Sequence, residues 1–145
     1  MADTVTPTWV YTLQLPHDPR SPGIARATLR AVLHRHGMAV PADTAELITS
    51  ELVTHAYRHS DGPSALRLRA MDGRRLRVGV WDTSPDVPAA FADPAPAVYG
   101  GPGGLDLVRM CADRYGGYRL GAGGVSAGRL LWAECAATDV VSPLP

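Results

Sequence analysis

Three short segments hold the side chains with chemistry in them. The first is Ser50-Glu-Leu-Val-Thr-His-Ala-Tyr-Arg-His59, where Glu51, His55, Arg58 and His59 fall three or four residues apart. On a helix that spacing puts them on one face. Glu51, His55 and His59 could together meet a zinc or nickel ion, and the same stripe also describes a solvated surface helix. The second segment is Val78-Gly-Val-Trp-Asp82-Thr-Ser-Pro-Asp86, where Asp82 ends an apolar run and opens a loop. Functional carboxylates sit often at such junctions, as do plain turn-starting aspartates. The third is Gly100-Gly-Pro-Gly-Gly104-Leu-Asp-Leu-Val108, a glycine-rich loop entering a helix. Backbone amides at a helix start bind phosphate where glycine lets a ligand approach, and a flexible hinge has the same composition.

The elements that must position these segments follow from hydrophobic periodicity. Trp9, Tyr11, Leu13 and Leu15 alternate with other residues, which predicts a first strand ended by Pro16-His-Asp-Pro19. Apolar residues at helical spacing predict a helix from about Pro22 to Gly37. A second helix is expected from Pro41-Ala42-Asp43 to about His59, with Asp43 as N-cap and Glu46 completing a capping box. Two alternating runs, Leu66 to Ala70 and Leu76 to Trp81, flank Asp72-Gly73 and read as a hairpin. Residues 83 to 104 have no periodicity and read as one long loop. A helix from about Leu105 to Arg114 follows, then a break at Tyr115-Gly-Gly, then strands at about Tyr118 to Leu120 and Arg129 to Ala136. Residues 138 to 145 read as a loose tail behind a single domain spanning 1 to 137. Strands joined by hairpins with helices on one face make a two-layer α+β sandwich, here expected with a mixed, mostly antiparallel sheet.

Composition narrows the function classes. Of 145 residues, 46% are apolar and 19% charged, the balance of a globular domain. The formal net charge is zero and the basic residues are scattered, which argues against nucleic acid as a direct partner. All 14 basic residues are arginine, so a lysine Schiff base and a Walker-type loop are excluded. Cys111 and Cys135 stand far apart in apolar surroundings and read as small core residues. No apolar run reaches membrane-spanning length, and no secretory pattern precedes Thr8, so a cytoplasmic location is expected.

Taken together, the segments SELVTHAYRHS, LRVGVWDTSPDVPAA, GGLDLVRMCADRYG and GRLLWAE resemble the GHKL ATPases, and within them the short anti-sigma-factor serine/threonine kinases of actinobacteria. The resemblance runs from about Trp9 to Glu134. It implies a Bergerat-type ATP-binding fold with ATP and Mg²⁺ as cofactors. It implies Glu51 as the general base that activates a serine or water, and Asp82 as the acceptor for the adenine amino group. Gly101, Gly103 and Gly104, with Leu105, would form the phosphate lid, and His59 would lie at the nucleotide.

His55 stands where the family has a magnesium-ligating asparagine. An imidazole nitrogen suits that hard ion poorly, and a histidine near its ordinary pKa of about 6.5 would also repel it when charged. Pro102 and Ser84 are further departures from the family pattern. The implied function is an ATP-binding regulator that sequesters or phosphorylates a protein partner. That partner would be a sigma factor or its antagonist, with a homodimer as a possible assembly. The alternative is a catalytically degenerate domain that works by protein binding alone.

Overall fold

The computed structural model describes residues 8–72, 74–92, 104–121 and 127–137. Among these residues, five strands and four helices follow one another. They are β1 (Val10–Leu15), α1 (Ser21–His36), α2 (Ala42–His59), β2 (Ser64–Asp72), β3 (Arg75–Asp82), α3 (Ala89–Ala92), α4 (Gly104–Cys111), β4 (Arg114–Leu120) and β5 (Gly128–Ala136). The strands form one sheet in the order β1-β2-β3-β5-β4.

Each neighbouring pair in that sheet is antiparallel. The expected mixed sheet is therefore corrected to an antiparallel one among the described residues. The long connection after β3 lets β5 pair antiparallel beside β3, with β4 outside it, and no parallel crossover is needed. The expected α+β class and the helices on one face hold. Among the described residues no helix is long and apolar enough to cross a membrane.

Local sequence explains most of the element boundaries. α1 begins with Pro22 in its first turn, where the missing N–H is no loss. It ends at Gly37, whose φ of 58° lies in the left-handed region, and the Met38 amide then reaches back to the Leu33 carbonyl at 3.0 Å. The cap of α2 departs from expectation. Pro41 is the N-cap, Asp43 lies inside the first turn, and no side chain caps the helix. Glu46 is drawn away by Arg30 of α1, which donates to it at 2.7 Å. Asp43 still meets the positive end of the helix dipole.

The β2–β3 hairpin turns where expected, with the Asp72 carboxylate accepting from the Arg74 amide at 2.7 Å. The last two strands differ more. α4 stops at Cys111, and β4 starts at Arg114 and runs through Tyr115-Gly-Gly, the segment expected to be a break. The reason lies in β5 next door. A side chain at Gly116 would collide with the Trp132 ring, and one at Gly117 with Leu131. These glycines make room within a strand and do not end it. The expected loop after β3 contains α3, whose Phe91 is fully buried and packs on Tyr115. Residues 93–103 of that loop and the expected tail lie outside the described residues.

One face of the sheet supplies Leu66, Leu68, Val78, Val80, Leu131 and Ala133 to the core. α2 covers it with Ile48, Leu52, Val53 and Ala56, and α1 packs on α2 through Ala25, Leu29 and Leu33. Cys135 is buried in this core, while Cys111 is only half-buried.

Thr49, fully buried in α2, has a hydroxyl with no hydrogen-bond partner among the described residues. An unpaired buried hydroxyl costs about 1–3 kcal/mol. Thr49→Val keeps the shape and removes that polar atom. It should raise stability by about 1 kcal/mol in urea unfolding, and an unchanged or lowered midpoint would show that the hydroxyl is satisfied.

Candidate functional site

Asp82 and Arg129 face each other in register at the end of β3 and the start of β5. Both point into the core side of the sheet, where Asp82 is 1% and Arg129 3% exposed. The Arg129 Nε donates to Asp82 Oδ1 at 3.0 Å and Oδ2 at 3.1 Å. A second nitrogen, Nη1, donates to the Asp86 carbonyl in the segment that follows β3. The third, Nη2, lies 3.4 Å from Nδ1 of His55 on α2. One guanidinium thus ties together a strand end, the next segment and the helix above. The Ser84 amide adds a further bond to Asp82 Oδ1 at 2.8 Å.

The local backbone is built for this approach. Gly128 has a φ of 155°, and a side chain there would sit 2.2 Å from the Asp82 carbonyl oxygen. Only glycine lets β5 start so close to the end of β3.

His55 is half-buried, and its ring stacks at a tilt against that of His59, 4.5 Å between centroids. Burial, then the Arg129 charge, then His59 lower its pKa from 6.5 to about 4. The expectation of a histidine charged near neutrality is corrected accordingly: His55 is a neutral imidazole at pH 7. A guanidinium has donors only, so Nδ1 accepts and the ring proton sits on Nε2. Neither nitrogen then offers a lone pair to a metal.

Glu51 is half-buried one turn before His55, and its carboxylate makes no hydrogen bond or ion pair among the described residues. His59 is exposed. Gly104 opens α4 and Leu105 packs against the core, with α4 lying along α2. Gly101 and Gly103 lie outside the described residues. The fold therefore brings Asp82 and His55 together through Arg129, and keeps Glu51 and His59 on the same helix.

Arg129 is the residue that sequence reasoning missed. A signal for it existed: alternation from Leu131, Ala133 and Cys135 puts Arg129 on the buried face, where a charge requires a partner.

Two cofactor questions can be put to this donor set. Asp82 Oδ2 accepts only from Arg129 Nε among the described residues, so it retains acceptor capacity for one more N–H, such as an exocyclic amino group. A divalent cation fits poorly. At His55 it would meet the Arg129 guanidinium across the ring, and no group of three or more His, Cys, Asp or Glu among the described residues is placed to hold a metal. No protein-family model matches the chain, and no curated protein matches it.

The His55 environment has a measurable pH signature. Its pKa is depressed on folding, so between about pH 6.5 and 4 the unfolded chain takes up a proton that the folded chain does not. Stability should therefore fall as pH drops through that window. Above pH 6.5 the ring is neutral in both states and contributes no pH dependence. In His55→Gln the loss of stability between pH 7 and 5, read by urea unfolding, should be smaller than in the parent. Parallel losses in the two proteins would mean that the ring titrates normally.

Breaking the ion pair should be costly as well. Arg129→Met leaves Asp82 buried without its cation, a change worth about 3–5 kcal/mol of destabilisation. The double variant Asp82→Asn/Arg129→Met should recover much of that loss, and a double variant as unstable as the single would refute the pairing.

Proposed function

We propose that this chain is an adenine-nucleotide-binding regulatory protein that acts by holding a protein partner, as the resemblance to the anti-sigma-factor kinases suggests. The observation that carries the reading is Asp82. It is a buried carboxylate at a strand end, fixed in orientation by Arg129 and the Ser84 amide, with acceptor capacity left on Oδ2. A bound ATP would bring an adenine amino group and a phosphate chain. Asp82 would accept from the amino group, and the glycines before α4 would face the phosphates. The expected partner is a sigma factor or its antagonist, and the expected location is the cytoplasm.

The regulator reading is preferred over the kinase reading for a specific reason. Efficient phosphoryl transfer relies on metal ions that neutralise developing charge. At the position the resemblance gives to the magnesium ligand, His55 has one nitrogen turned to a guanidinium and the other protonated. Glu51 as general base would stand beside a site that disfavours the metal. No Mg²⁺-dependent step is therefore assigned to this chain.

Calorimetry tests the reading. ATP should bind with nearly the same affinity in EDTA and in Mg²⁺, and Glu51→Ala should leave that affinity unchanged. N6,N6-dimethyl-ATP, which has no amino proton to donate, should bind at least tenfold more weakly, since an unmade buried hydrogen bond costs about 1–3 kcal/mol. The analogue leaves the protein untouched, so a folding defect cannot mimic the result. Equal binding of the two nucleotides would remove Asp82 from adenine recognition. Rapid Mg²⁺-dependent phosphotransfer that vanishes in Glu51→Ala would restore the kinase reading.

A further inference from the structure

The second face of the sheet has no helix on it among the described residues, and its side chains fall into three rows. Strand register sets the rows across β2, β3, β5 and β4. The row nearest Asp82 is Ala65, Trp81, Leu130 and Tyr118. The middle row is Arg67, Gly79, Trp132 and Gly116. The far row is Arg69, Arg77, Glu134 and Arg114. Adjacent rows are two residues apart along each strand, so the aromatic and arginine ends lie about 13 Å from each other.

Charge on this face is one-sided although the chain is neutral overall. The strand acids of this face are Asp72, at the hairpin end in register with Arg75, and Glu134, which is 1% exposed. Arg77 donates to Glu134 at 2.8 Å and Arg75 at 3.3 Å. Arg67, Arg69 and Arg114 are exposed and make no hydrogen bond or ion pair among the described residues. Five guanidinium groups against two carboxylates leave an excess of three positive charges.

The aromatic part is also held in place. The Arg77 guanidinium stacks 4.2 Å from the Trp132 ring, whose other neighbour is the bare backbone of Gly116. Trp81 and Trp132 are half-buried, and Tyr118 is 48% exposed. Arginine, tryptophan and tyrosine fixed on a rigid sheet are the residue types that concentrate binding energy at protein interfaces.

We propose that this face docks an acidic, amphipathic segment of a partner protein. Its carboxylates would meet Arg67, Arg69 and Arg114, and its apolar side chains would cover Trp81, Leu130 and Tyr118. Charge complementarity selects this occupant. A second copy of the chain would bring like-charged guanidinium groups into one symmetric interface. Single-stranded nucleic acid also uses arginines and aromatic rings, but a chain with zero net charge supplies little of the long-range attraction such binding relies on. The docking face is opposite the Asp82 site, so the proposal stands whether or not that site takes a nucleotide.

The test uses the full chain and a labelled amphipathic helical peptide, glutamates on one face and leucines with a tryptophan on the other. Its lysine-for-glutamate counterpart, oligothymidylate and analytical ultracentrifugation complete the set. The acidic peptide should bind saturably and shift the amide resonances of β2, β3, β5 and β4. The exposed double substitution Arg67→Glu/Arg69→Glu should weaken it at least tenfold, with an unchanged melting curve. Arg35→Glu on α1 should have no effect. Raising salt from about 0.1 to 1 M shortens the screening length from about 10 to 3 Å and should weaken binding further. Absence of saturable binding overturns the proposal, as does equal binding of the lysine peptide or of the double variant. Tighter binding of oligothymidylate would assign the face to nucleic acid instead. Self-association abolished by the double variant would assign it to a second copy.

Discussion

A single buried ion pair organises the functional end of this domain. Asp82 and Arg129 are both inaccessible to water, and each would be strongly unfavourable there without the other. Meeting that requirement fixes three things at once. It sets the register of β3 against β5, draws the segment after β3 inward through the Asp86 carbonyl, and places a positive charge beside His55. The neutral state of His55 follows from burial and from that charge. So does the poor fit of a divalent cation. The chemistry open to the site is thus limited by an internal cation that no spacing rule on α2 could reveal.

The sheet carries a second charge cluster on its other face, where the buried Glu134 takes the half-buried Arg77 and Arg75. Asp82 with Arg129 and Arg77 with Glu134 are both register pairs of the same two strands, one pair on each face. A slip of one residue between β3 and β5 would separate both pairs and turn Arg129 towards the outer face. Buried ion pairs often add little net stability over well-packed apolar residues. Two of them on opposite faces of one strand pair penalise the wrong register from both sides. We regard that selectivity, more than any gain in stability, as their structural role.

Much of this architecture was legible from periodicity. α1, α2 and the β2–β3 hairpin were within reach because their signals are local: apolar residues at helical spacing, and Asp72-Gly73 between alternating runs. The grouping of Glu51, His55 and His59 on one helix was legible for the same reason. The errors came where a distant residue decided the outcome. Asp43 did not cap α2, and Glu46 was engaged by Arg30, sixteen positions away. Tyr115-Gly-Gly looked like a break because the Trp132 ring that fills the space over Gly116 belongs to another strand. Arg129 was overlooked because its partner is 47 residues earlier in the chain. The antiparallel sheet could not be read from element order, which does not say beside which strand β5 enters.

The identity of the internal cation is itself constrained. Arg129 uses three different nitrogens on three different groups: Nε on the Asp82 carboxylate, Nη1 on the Asp86 carbonyl and Nη2 towards His55. The fork is planar and rigid, so its directions are fixed once Nε meets the carboxylate. An ammonium group would concentrate its charge at one point and could not span from the strand end to the helix above in the same way. With lysine at this position, His55 would lose the donor that settles its tautomer, and Nδ1 would regain a free lone pair. The same change would weaken the tie to Asp86. In this chain the choice of arginine therefore decides both the packing of the strand ends and whether a histidine on α2 can serve as a ligand.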